Sequence, residues 1–552
     1  MRCLACSIGT LSWASIWASN REINIFQGHA VWRESRRLSR VNFPGENRGM
    51  PESSSNSGIV YLIGAGPGDP GLFTLRGAEL LARCDVVLYD GLSNIELLKH
   101  APSAEKICVG KHGQQRIWRQ EEIITEMLLH ANAGRKVVRL KGGDPAVFAR
   151  TSEEVDALRA ADIPFEIVPG ITAALAAGSY AGIPITHRRH ASAVALVTGH
   201  EDPTKAETAL DWDALAKFPG TLVIYMGVTT AGVWTKALID AGKSPDTTAA
   251  LIRRCSHGDQ QTIHCRLDEV ADRLTPASKF RPPVITIIGP VTQLAESMNW
   301  LERKPLFGQS ILVTRPADQA QSLAGPLREL GANVLLQPAI QITALTDYTA
   351  LDKSIAEINA SDILIFCSRN GVQSFMNRMM EKFGDIRHLN APEIATVGSQ
   401  SAKALQQYHL QTDIIPPDFS AASLAKFISP HVRGNKITIV RASRGSDTLA
   451  KELSAAGADV CEVVAYEHTD TTQPDPKVAE ALADGQVDWV TVTSSASAQS
   501  LHNLFGDSLK QTKIASLSPI TSKTLTDLGY DIAAEANPYT IDSLIDAIEG
   551  HR

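Results

Sequence analysis

Short apolar runs alternate with amphipathic segments over residues 58–300. Runs of this kind, bounded by glycine, proline and polar residues, predict buried strands, and apolar residues spaced three or four apart predict helices packed against them. Such alternation is typical of an α/β domain with a largely parallel sheet. The predicted strands are residues 59–63, 86–89, 137–140, 167–168, 193–197, 222–225, 249–252 and 284–288, and the predicted helices include 72–82, 121–131 and 152–160.

Residues 310–552 show the same alternation and also an internal repeat. The segment DILIFCS at 362–368 aligns with DWVTVTS at 488–494, and Arg315 aligns with Arg441, both at an offset of 126 residues (488 − 362 and 441 − 315). Two similar α/β lobes predict a bilobal domain with a cleft between them. Ligands of such folds bind beyond the carboxyl ends of parallel strands.

Two serines lie at matching strand ends in this repeat, Ser368 and Ser494. Their position predicts that both hydroxyls face one shared ligand. Serine is also a preferred N-cap residue, so an alternative interpretation is that each serine caps the helix that follows. Both interpretations can hold at once.

Composition and charge narrow the class of protein. The chain has 552 residues, 44% hydrophobic and 20% charged, which predicts a globular protein of about three or four folding units. The formal net charge is −7, so neither nucleic acid nor an anionic membrane is a predicted partner, because both call for a basic face. No apolar run reaches the roughly 18 residues of a membrane span. The eight scattered cysteines predict reduced thiols in a cytoplasmic protein.

Two segments differ from the rest of the chain. Residues 1–57 combine tryptophans, a basic patch and a stretch rich in Ser, Asn and Gly, which predicts a disordered leader or a start assigned too early, with Met50 as the alternative first residue. Cys3 and Cys6 form the only close CxxC pair, and without a second ligand pair nearby they do not predict a metal site. Residues 301–309, with a proline and a glycine, predict a linker.

Four glycine-containing motifs stand at predicted strand ends. Glycines after a strand leave backbone N–H groups free to bind a ligand, although each motif alone is also typical of an ordinary βα turn. Together they predict one pocket rich in backbone donors and poor in fixed charge, which suits an adenosyl-sulfonium cofactor. The motifs are GAGPGDPG at 64–71, RLKGGDP at 139–145, VPGITAA at 168–174 and IYMG at 224–227.

The order of these motifs, with VVLYDGL at 86–92, GKHG at 110–113 and GIPITHR at 182–188, closely resembles uroporphyrinogen-III C-methyltransferase of the tetrapyrrole methylase family. The resemblance covers about residues 58–300. It implies a two-lobed tetrapyrrole-methylase fold, a homodimer, and S-adenosyl-L-methionine (SAM) as the methyl donor, without a metal. It implies methylation of uroporphyrinogen III at carbons 2 and 7, which yields precorrin-2.

The resemblance also implies roles for individual residues. Asp90 is the implied proton acceptor and Lys111 the implied proton donor, because methylating a pyrrole carbon creates a cation that must later lose a proton. A rival interpretation is that Asp90 only caps the following turn. Cys255 stands where the family usually has a glycine, and its backbone is expected to reach the cofactor. The other implied SAM-binding residues are Pro67, Gly142, Gly143, Asp144, Val147, Thr172, Ala173 and Met226.

Residues 308–552 resemble uroporphyrinogen-III synthase, through ILVTRPADQA at 311–320, FCSRNGV at 366–372 and SLSPITSKTL at 516–525. That family cyclises hydroxymethylbilane with inversion of ring D and loss of water, and its main task is to hold a folded geometry. Tyr466 matches the residue that assists departure of the hydroxyl. The candidate partners of the substrate carboxylates, each of which could equally be a solvated surface residue, are Ser368, Ser401, Ser494, Thr521, Arg315, Arg441 and Lys523.

Two other functions stay open at this level. The methylase-like half could act on another substrate, since relatives modify rRNA or diphthamide, and the C-terminal half could be a bilobal small-molecule sensor. The pairing of the two halves favours tetrapyrrole substrates, because fused neighbours usually share a pathway. The sequence leaves open whether the product continues to sirohaem or to cobalamin.

Overall fold

The computed structural model describes residues 58–110, 118–201, 208–278, 280–418 and 420–551. The predicted leader at 1–57 and the implied proton donor Lys111 lie outside these residues. Within them, no helix is both long enough and apolar enough to cross a membrane. The same residues contain no group of His, Cys, Asp and Glu side chains that could hold a metal ion.

The first sheet of the N-terminal half is parallel throughout, in the order β3-β2-β4-β1-β5. Both faces of its central strands are buried, with Val60 and Leu62 in one core cluster and Ile63 in another, as continuous apolar runs predict. Its strands are β1 (Ile59–Gly64), β2 (Val86–Tyr89), β3 (Glu105–Cys108), β4 (Lys136–Lys141) and β5 (Phe165–Val168). Its helices are α1 (Leu75–Leu81), α2 (Gln120–Asn132) and α3 (Thr151–Ala160).

The second sheet has the order β6-β7-β10-β8-β9 and is mostly antiparallel, because only β6 and β7 run in parallel. This differs from the largely parallel sheet that the alternation predicted. The segment between β8 and β9 is too short for a crossover, so these strands must pair antiparallel. The strands are β6 (Val194–Thr198), β7 (Thr221–Tyr225), β8 (Thr248–Arg253), β9 (Gln261–Arg266) and β10 (Val284–Ile288). The helices are α4 (Ala173–Tyr180), which enters this lobe, α5 (Trp212–Lys217), α6 (Ala231–Asp240), α7 (Val270–Arg273) and α8 (Ala295–Met298).

The C-terminal half contains two further sheets, in the orders β12-β11-β18-β19-β20 and β13-β17-β16-β14-β15. All neighbours are parallel except β13 and β17. The strands of the first are β11 (Ser310–Val313), β12 (Asn333–Leu336), β18 (Trp489–Val492), β19 (Lys513–Ser516) and β20 (Ile532–Glu535). The strands of the second are β13 (Ile340–Thr343), β14 (Ile363–Phe366), β15 (Glu393–Thr396), β16 (Lys436–Ala442) and β17 (Asp459–Asp470).

Helices cover both of these sheets. They are α9 (Ala317–Glu329), α10 (Thr349–Ala356), α11 (Arg369–Phe383), α12 (Ser399–Gln406), α13 (Ala421–Ile428), α14 (Thr448–Ala455), α15 (Pro476–Ala483), α16 (Ser495–Phe505), α17 (Pro519–Asp527) and α18 (Ile541–Gly550).

The two copies of the sequence repeat do not coincide with the two lobes. The first copy supplies β11 and β12 to one sheet and then β14 and β15 to the other. The second copy supplies β16 and β17 to the second sheet and returns with β18 and β19 to the first. Each lobe is therefore built half from each copy, so the chain crosses twice between the lobes and a cleft forms between them.

Direct contacts join the two halves of the chain. Glu96 accepts hydrogen bonds from Arg328 and, at 3.3 Å, from Gln321 Nε2, both on α9. Leu306, within the predicted linker 301–309, is buried in a core cluster of the C-terminal half. The segment after α8 is thus packed against the second half.

Candidate functional site

Three of the glycine motifs meet where β1, β4 and β5 end. Gly66 and Gly143 exchange two backbone hydrogen bonds, of 3.1 Å and 2.9 Å, and their φ angles are 75° and 69°. A Cβ on Gly170 would lie 2.2 Å from the Gly143 carbonyl oxygen, so no larger residue fits there. The structure therefore brings together three of the four turns that were predicted to form one pocket.

The Asp144 carboxylate accepts hydrogen bonds that stabilise these turns. Its Oδ2 accepts from the Gly170 N–H at 2.9 Å and its Oδ1 from the Ala146 N–H at 2.7 Å. The space beside Gly142 is less crowded than that beside Gly170, because a Cβ on Gly142 would meet only the Leu92 Cβ, at 3.4 Å. Open space beside exposed backbone fits a ligand that is bound by main-chain groups, as the sequence implies for SAM.

Asp90 directly follows β2, at the same edge of the sheet. Its Oδ1 accepts from Arg139 Nη2 at 2.6 Å and its Oδ2 accepts from the Gly142 N–H at 3.2 Å. Both carboxylate oxygens of Asp90 thus accept from β4 and the turn after it, whereas the side chain that caps the following 3₁₀ helix belongs to Asn94. The Asp90 side chain remains 30% exposed, so the fixed carboxylate is accessible to a ligand.

Arg139 belongs to a buried group of charges that includes Lys141 and Glu154. Glu154 Oε1 lies 3.2 Å from Arg139 Nε and its Oε2 lies 2.6 Å from Lys141 Nζ. Burial lowers the pKa of Lys141, against the opposing effect of Glu154. Burial would also lower the pKa of Arg139, but the carboxylates of Asp90 and Glu154 outweigh it and raise that pKa. Both carboxylates therefore face a permanently charged guanidinium.

The fourth motif reaches the same region through Tyr225, the last residue of β7. Its hydroxyl lies 2.6 Å from Thr172 Oγ1 and accepts from the Ala174 N–H at 2.8 Å. Met226 follows with a φ of 53° and is 50% exposed. This non-glycine residue in the left-handed region presents an apolar side chain at the end of the strand.

Cys255 occupies a turn whose neighbours Arg254 and Ser256 both have positive φ, 50° and 67°. Its Sγ lies 3.9 Å from the Ala173 carbonyl oxygen, and burial raises the pKa of the thiol to about 12. The thiol is therefore neutral and points into the core. The contact with the cofactor that was predicted for this position involves the backbone of Cys255, not its thiol.

Contacts across the two lobes hold the first glycine turn in place. The Asp69 N–H donates to Ser256 Oγ at 3.0 Å, and Tyr180 Oη donates to Asp69 Oδ2 at 2.6 Å. The His257 ring lies against Gly68. Burial, reinforced by the charge of Arg254, lowers the pKa of His257 to about 4.

The rim of this region is partly apolar. Pro67 and Val147 are half-buried, Phe148 is exposed with its ring centroid 5.0 Å from that of Tyr225, and Leu92 is exposed as well. Exposed apolar side chains grouped around backbone donors are typical of a site for a ligand with flat, apolar faces.

In the C-terminal half, a cavity of about 290 Å³ lies in the cleft between the two lobes. Of the residues predicted to contact substrate, it is lined by Arg315, Tyr466 and Ser494. Arg444 and His468 line it as well, and neither was predicted from the sequence. The sequence did offer a signal for Arg444, because it stands three residues after the predicted Arg441.

Tyr466 has its hydroxyl 3.0 Å from Ser368 Oγ. Burial raises the pKa of Tyr466, against the opposing effect of Ser368, so the phenol stays protonated and can donate a hydrogen bond. Ser368 also accepts from the Gly371 N–H at 3.0 Å, and Ser494 accepts from the Ser497 N–H at 3.1 Å. Both serines therefore cap the following helices, and each also stands beside the cleft.

The side-chain hydrogen bonds of Arg315 go to neutral acceptors. Its Nη1 donates to Ser322 Oγ at 2.6 Å and its Nη2 donates to Gln319 Oε1 at 3.0 Å, and both acceptors are neutral. Burial lowers the pKa of its guanidinium, against the opposing charge of Asp318 and with a smaller contribution from Arg369 in the same direction as burial. Gln319 continues across the cleft, 3.4 Å from Asn370 Oδ1. A cleft-lining cation paired only with neutral groups suits an anionic ligand.

The other five predicted substrate contacts, of which Ser368 is one, are not among the residues that line the cavity. Arg441 is ion-paired with two carboxylates. Ser401 and Thr521 are buried, and the Thr521 hydroxyl lies 3.1 Å from Ser518 Oγ within its own helix. Lys523 is exposed on α17.

Comparison with known proteins gives matches for both halves. The family described as "Tetrapyrrole (Corrin/Porphyrin) Methylases" matches residues 59–271, and "Uroporphyrinogen-III synthase HemD" matches residues 321–546. The "Porphyrin biosynthesis protein HemD" of Ruminiclostridium josui is 35% identical over 500 residues, covering 89% of this chain and 97% of the relative.

Further matches cover the N-terminal half. The "S-adenosyl-L-methionine-dependent uroporphyrinogen III methyltransferase" of Methanosarcina barkeri is 48% identical over 242 residues, covering 44% of this chain and 94% of the relative. The crystal structure of uroporphyrin-III C-methyl transferase from Thermus thermophilus, complexed with S-adenyl homocysteine, is 41% identical, with a TM-score of 0.38, and covers 43% of this chain and 100% of that one.

Proposed function

Since this chain belongs to the tetrapyrrole methylase family and, in its C-terminal half, to the uroporphyrinogen-III synthase family, we propose that it makes uroporphyrinogen III and then methylates it. The C-terminal half cyclises hydroxymethylbilane to uroporphyrinogen III. The N-terminal half transfers two methyl groups from SAM, to carbons 2 and 7, and forms precorrin-2. The observation that carries the methylation site is the Asp90 carboxylate, held open to ligand beside the converging glycine turns.

Methylation places a positive charge on the pyrrole system, and SAM supplies the methyl group from its sulfonium. The Asp90 carboxylate is accessible and lies beside Arg139, so it stabilises that charge and then takes the proton that restores the ring. The Gly142 N–H and Arg139 fix the direction of its lone pairs. The exposed side chains of Leu92 and Met226 offer apolar contacts to the macrocycle or the adenosine.

The synthase half acts chiefly by holding its substrate in a folded geometry. Tyr466 donates a hydrogen bond to the departing hydroxyl, and its raised pKa keeps the proton in place. Arg315, which has neutral partners only among its hydrogen bonds, pairs with a substrate carboxylate. Ser368 and Ser494 orient the site from opposite lobes.

Two further features extend the proposal. The chain forms a homodimer through its N-terminal half and works in the cytoplasm. The resemblance to the methylase family supports the dimer, and Leu75 and Ile95, which are exposed in the single chain, offer apolar surface for it. Sedimentation of the purified chain tests the dimer, and a monomer at micromolar concentration would exclude it.

One assay tests both activities. The purified chain is incubated with hydroxymethylbilane, with and without SAM, and the products are separated by chromatography after oxidation. The type III isomer is expected without SAM, and the dimethylated product with it. If only the type I isomer forms, as it does spontaneously, the C-terminal half is a binding module and not a synthase.

The Asp90→Ala variant tests the methylation site. We expect it to bind S-adenosylhomocysteine as the parent does and to lose turnover by about 10²-fold or more, since a general base is removed. Calorimetry and the rate of methyl transfer from labelled SAM measure the two properties. Asp156→Ala, which removes an exposed carboxylate of α3, is the matched control. Normal turnover of Asp90→Ala would remove Asp90 from the mechanism.

A further inference from the structure

Glu154, on α3, is a fully buried carboxylate that the proposed reaction does not itself use. Its Oε1 accepts from Arg139 Nε and from Gln120 Nε2, both at 3.2 Å, and its Oε2 accepts from Lys141 Nζ at 2.6 Å. An isolated buried carboxylate would be very unfavourable, and these three donors offset the cost of burying it.

This carboxylate is linked to Asp90 through one guanidinium. Arg139 donates from Nε to Glu154 and from Nη2 to Asp90, at 2.6 Å, and from Nη1 to the Leu140 carbonyl, at 3.2 Å. The charged groups that face Glu154 are Arg139 and Lys141 of β4, and with Asp90 they make two cations and two anions. Only Asp90 among them is appreciably exposed. The cluster therefore runs from a dry interior to one carboxylate at the ligand site.

Stability alone is a weak reason for such a cluster. Buried ion pairs are frequently no more stabilising than apolar residues of similar volume. What the cluster does provide is direction, because a guanidinium bonded through all three of its nitrogens cannot rotate about its stem. Without Glu154, Arg139 would keep only its bonds to Asp90 and to the Leu140 carbonyl, so it could tilt and carry the Asp90 carboxylate with it.

We propose that Glu154 is a positioning residue for the methylation. It accepts a hydrogen bond from Arg139 Nε, and the guanidinium held in this way fixes the Asp90 carboxylate beside Gly142. The inference rests on the proposed function, in which Asp90 takes the proton. Glu154 touches neither substrate nor SAM, so it acts only through Arg139.

The test compares Glu154→Gln and Glu154→Asp with the parent in the full chain. The first keeps the length of the side chain and removes its charge, and the second keeps the charge and withdraws the carboxylate from Arg139. We expect kcat per S-adenosylhomocysteine-binding site to fall about 10- to 100-fold in both, the cost of a misplaced catalytic group. KM and the affinity for S-adenosylhomocysteine should stay as in the parent.

A merely structural role would give a different result. It would lower the melting temperature and the number of binding sites, and leave kcat per remaining site at the parental value, which would overturn the proposal. Gln120→Met is the matched control, because it removes a contact of Glu154 and leaves Arg139 held. A loss of kcat in Gln120→Met equal to that in Glu154→Gln would also overturn it.

Glu154→Gln leaves the buried Lys141 charge without its carboxylate partner, so a double variant controls for failure to fold. Lys141→Met with Glu154→Gln removes one buried charge of each sign, and we expect a folded protein that still turns over slowly. Parental kcat in the double variant would contradict the proposal. If Asp90→Ala is inactive while Glu154→Gln is normal, this inference alone fails, whereas an active Asp90→Ala variant overturns the proton-acceptor role itself.

Discussion

His257 is uncharged in the folded protein because burial and Arg254 lower its pKa to about 4, from an ordinary value of about 6.5. Between these values the unfolded chain binds a proton that the folded chain does not. The contribution of His257 to the free energy of unfolding is therefore fully present above about pH 6.5 and is lost as the pH falls toward 4. At pH 5 the free energy of unfolding is lower by about 2 kcal/mol.

We predict that His257→Asn reduces the fall in melting temperature between pH 7 and pH 5, since asparagine does not titrate. Differential scanning calorimetry of the parent and the variant at both pH values measures the difference. His431→Asn replaces an exposed histidine and should leave the fall unchanged. An equal fall in the parent and in His257→Asn would show that His257 does not bear this proton linkage.

Individual residues of the site differ in how far the sequence reveals them. Asp90 was identifiable because the resemblance to the methylase family implies its role, and the structure places it directly after a strand beside the glycine turns. Glu154 was not, because an acidic residue in the first turn of a helix is normally solvated and favoured by the helix dipole. Its burial is a tertiary property, which depends on α3 packing so that Glu154 meets two cations of β4.

At the scale of elements, the glycine turns leave no room for a side chain at Gly170 but do leave room for one at Gly142. A Cβ on Gly170 would overlap the Gly143 carbonyl, whereas a Cβ on Gly142 would meet only Leu92. We predict that Gly170→Ala destabilises the N-terminal half by about 1–3 kcal/mol, the usual cost of overpacking. Thermal unfolding followed by circular dichroism measures that loss.

Gly142→Ala is the informative partner of that variant. It should melt like the parent but bind S-adenosylhomocysteine at least about tenfold more weakly, equal to roughly 1.4 kcal/mol, because its methyl group enters the ligand space. Calorimetric titration measures the affinity. Unchanged affinity would mean that the donor lies away from this turn.

Most strands could be predicted because buried strands are continuous apolar runs. β3 (Glu105–Cys108) and β9 (Gln261–Arg266) were missed, since both are edge strands with polar, partly exposed faces. The antiparallel pairing of the second sheet was missed for a different reason. Periodicity reports which residues are buried, and it carries no information on the direction of a neighbouring strand.

At the scale of the whole molecule, the same limit applies to the repeat. Matching segments at a constant offset revealed two copies, but pairing across copies is decided by the connections between strands. Each lobe contains strands from both copies, so the chain crosses between the lobes and residues of both copies border the cleft. Arg315 and Tyr466, which come from different copies, therefore meet at one cavity.

The two sites are joined by a single helix. α9 begins beside Arg315 at the synthase cleft and, with 13 residues, extends about 20 Å. Its Gln321 and Arg328 bond to Glu96, which stands a few residues after Asp90 in the chain. This contact between the halves makes transfer of uroporphyrinogen III from one site to the other a testable prediction.

We predict that the intact chain forms precorrin-2 from hydroxymethylbilane with a shorter lag than an equimolar mixture of its separated halves. Arg328→Glu, which places like charges at the contact with Glu96, should lengthen the lag of the intact chain while leaving each activity unchanged when assayed alone. Lys426→Glu makes the same charge reversal at an exposed position of α13 and should have no effect. Stopped-flow absorbance follows the lag, and identical lags for the intact chain and the mixed halves would refute transfer between the sites.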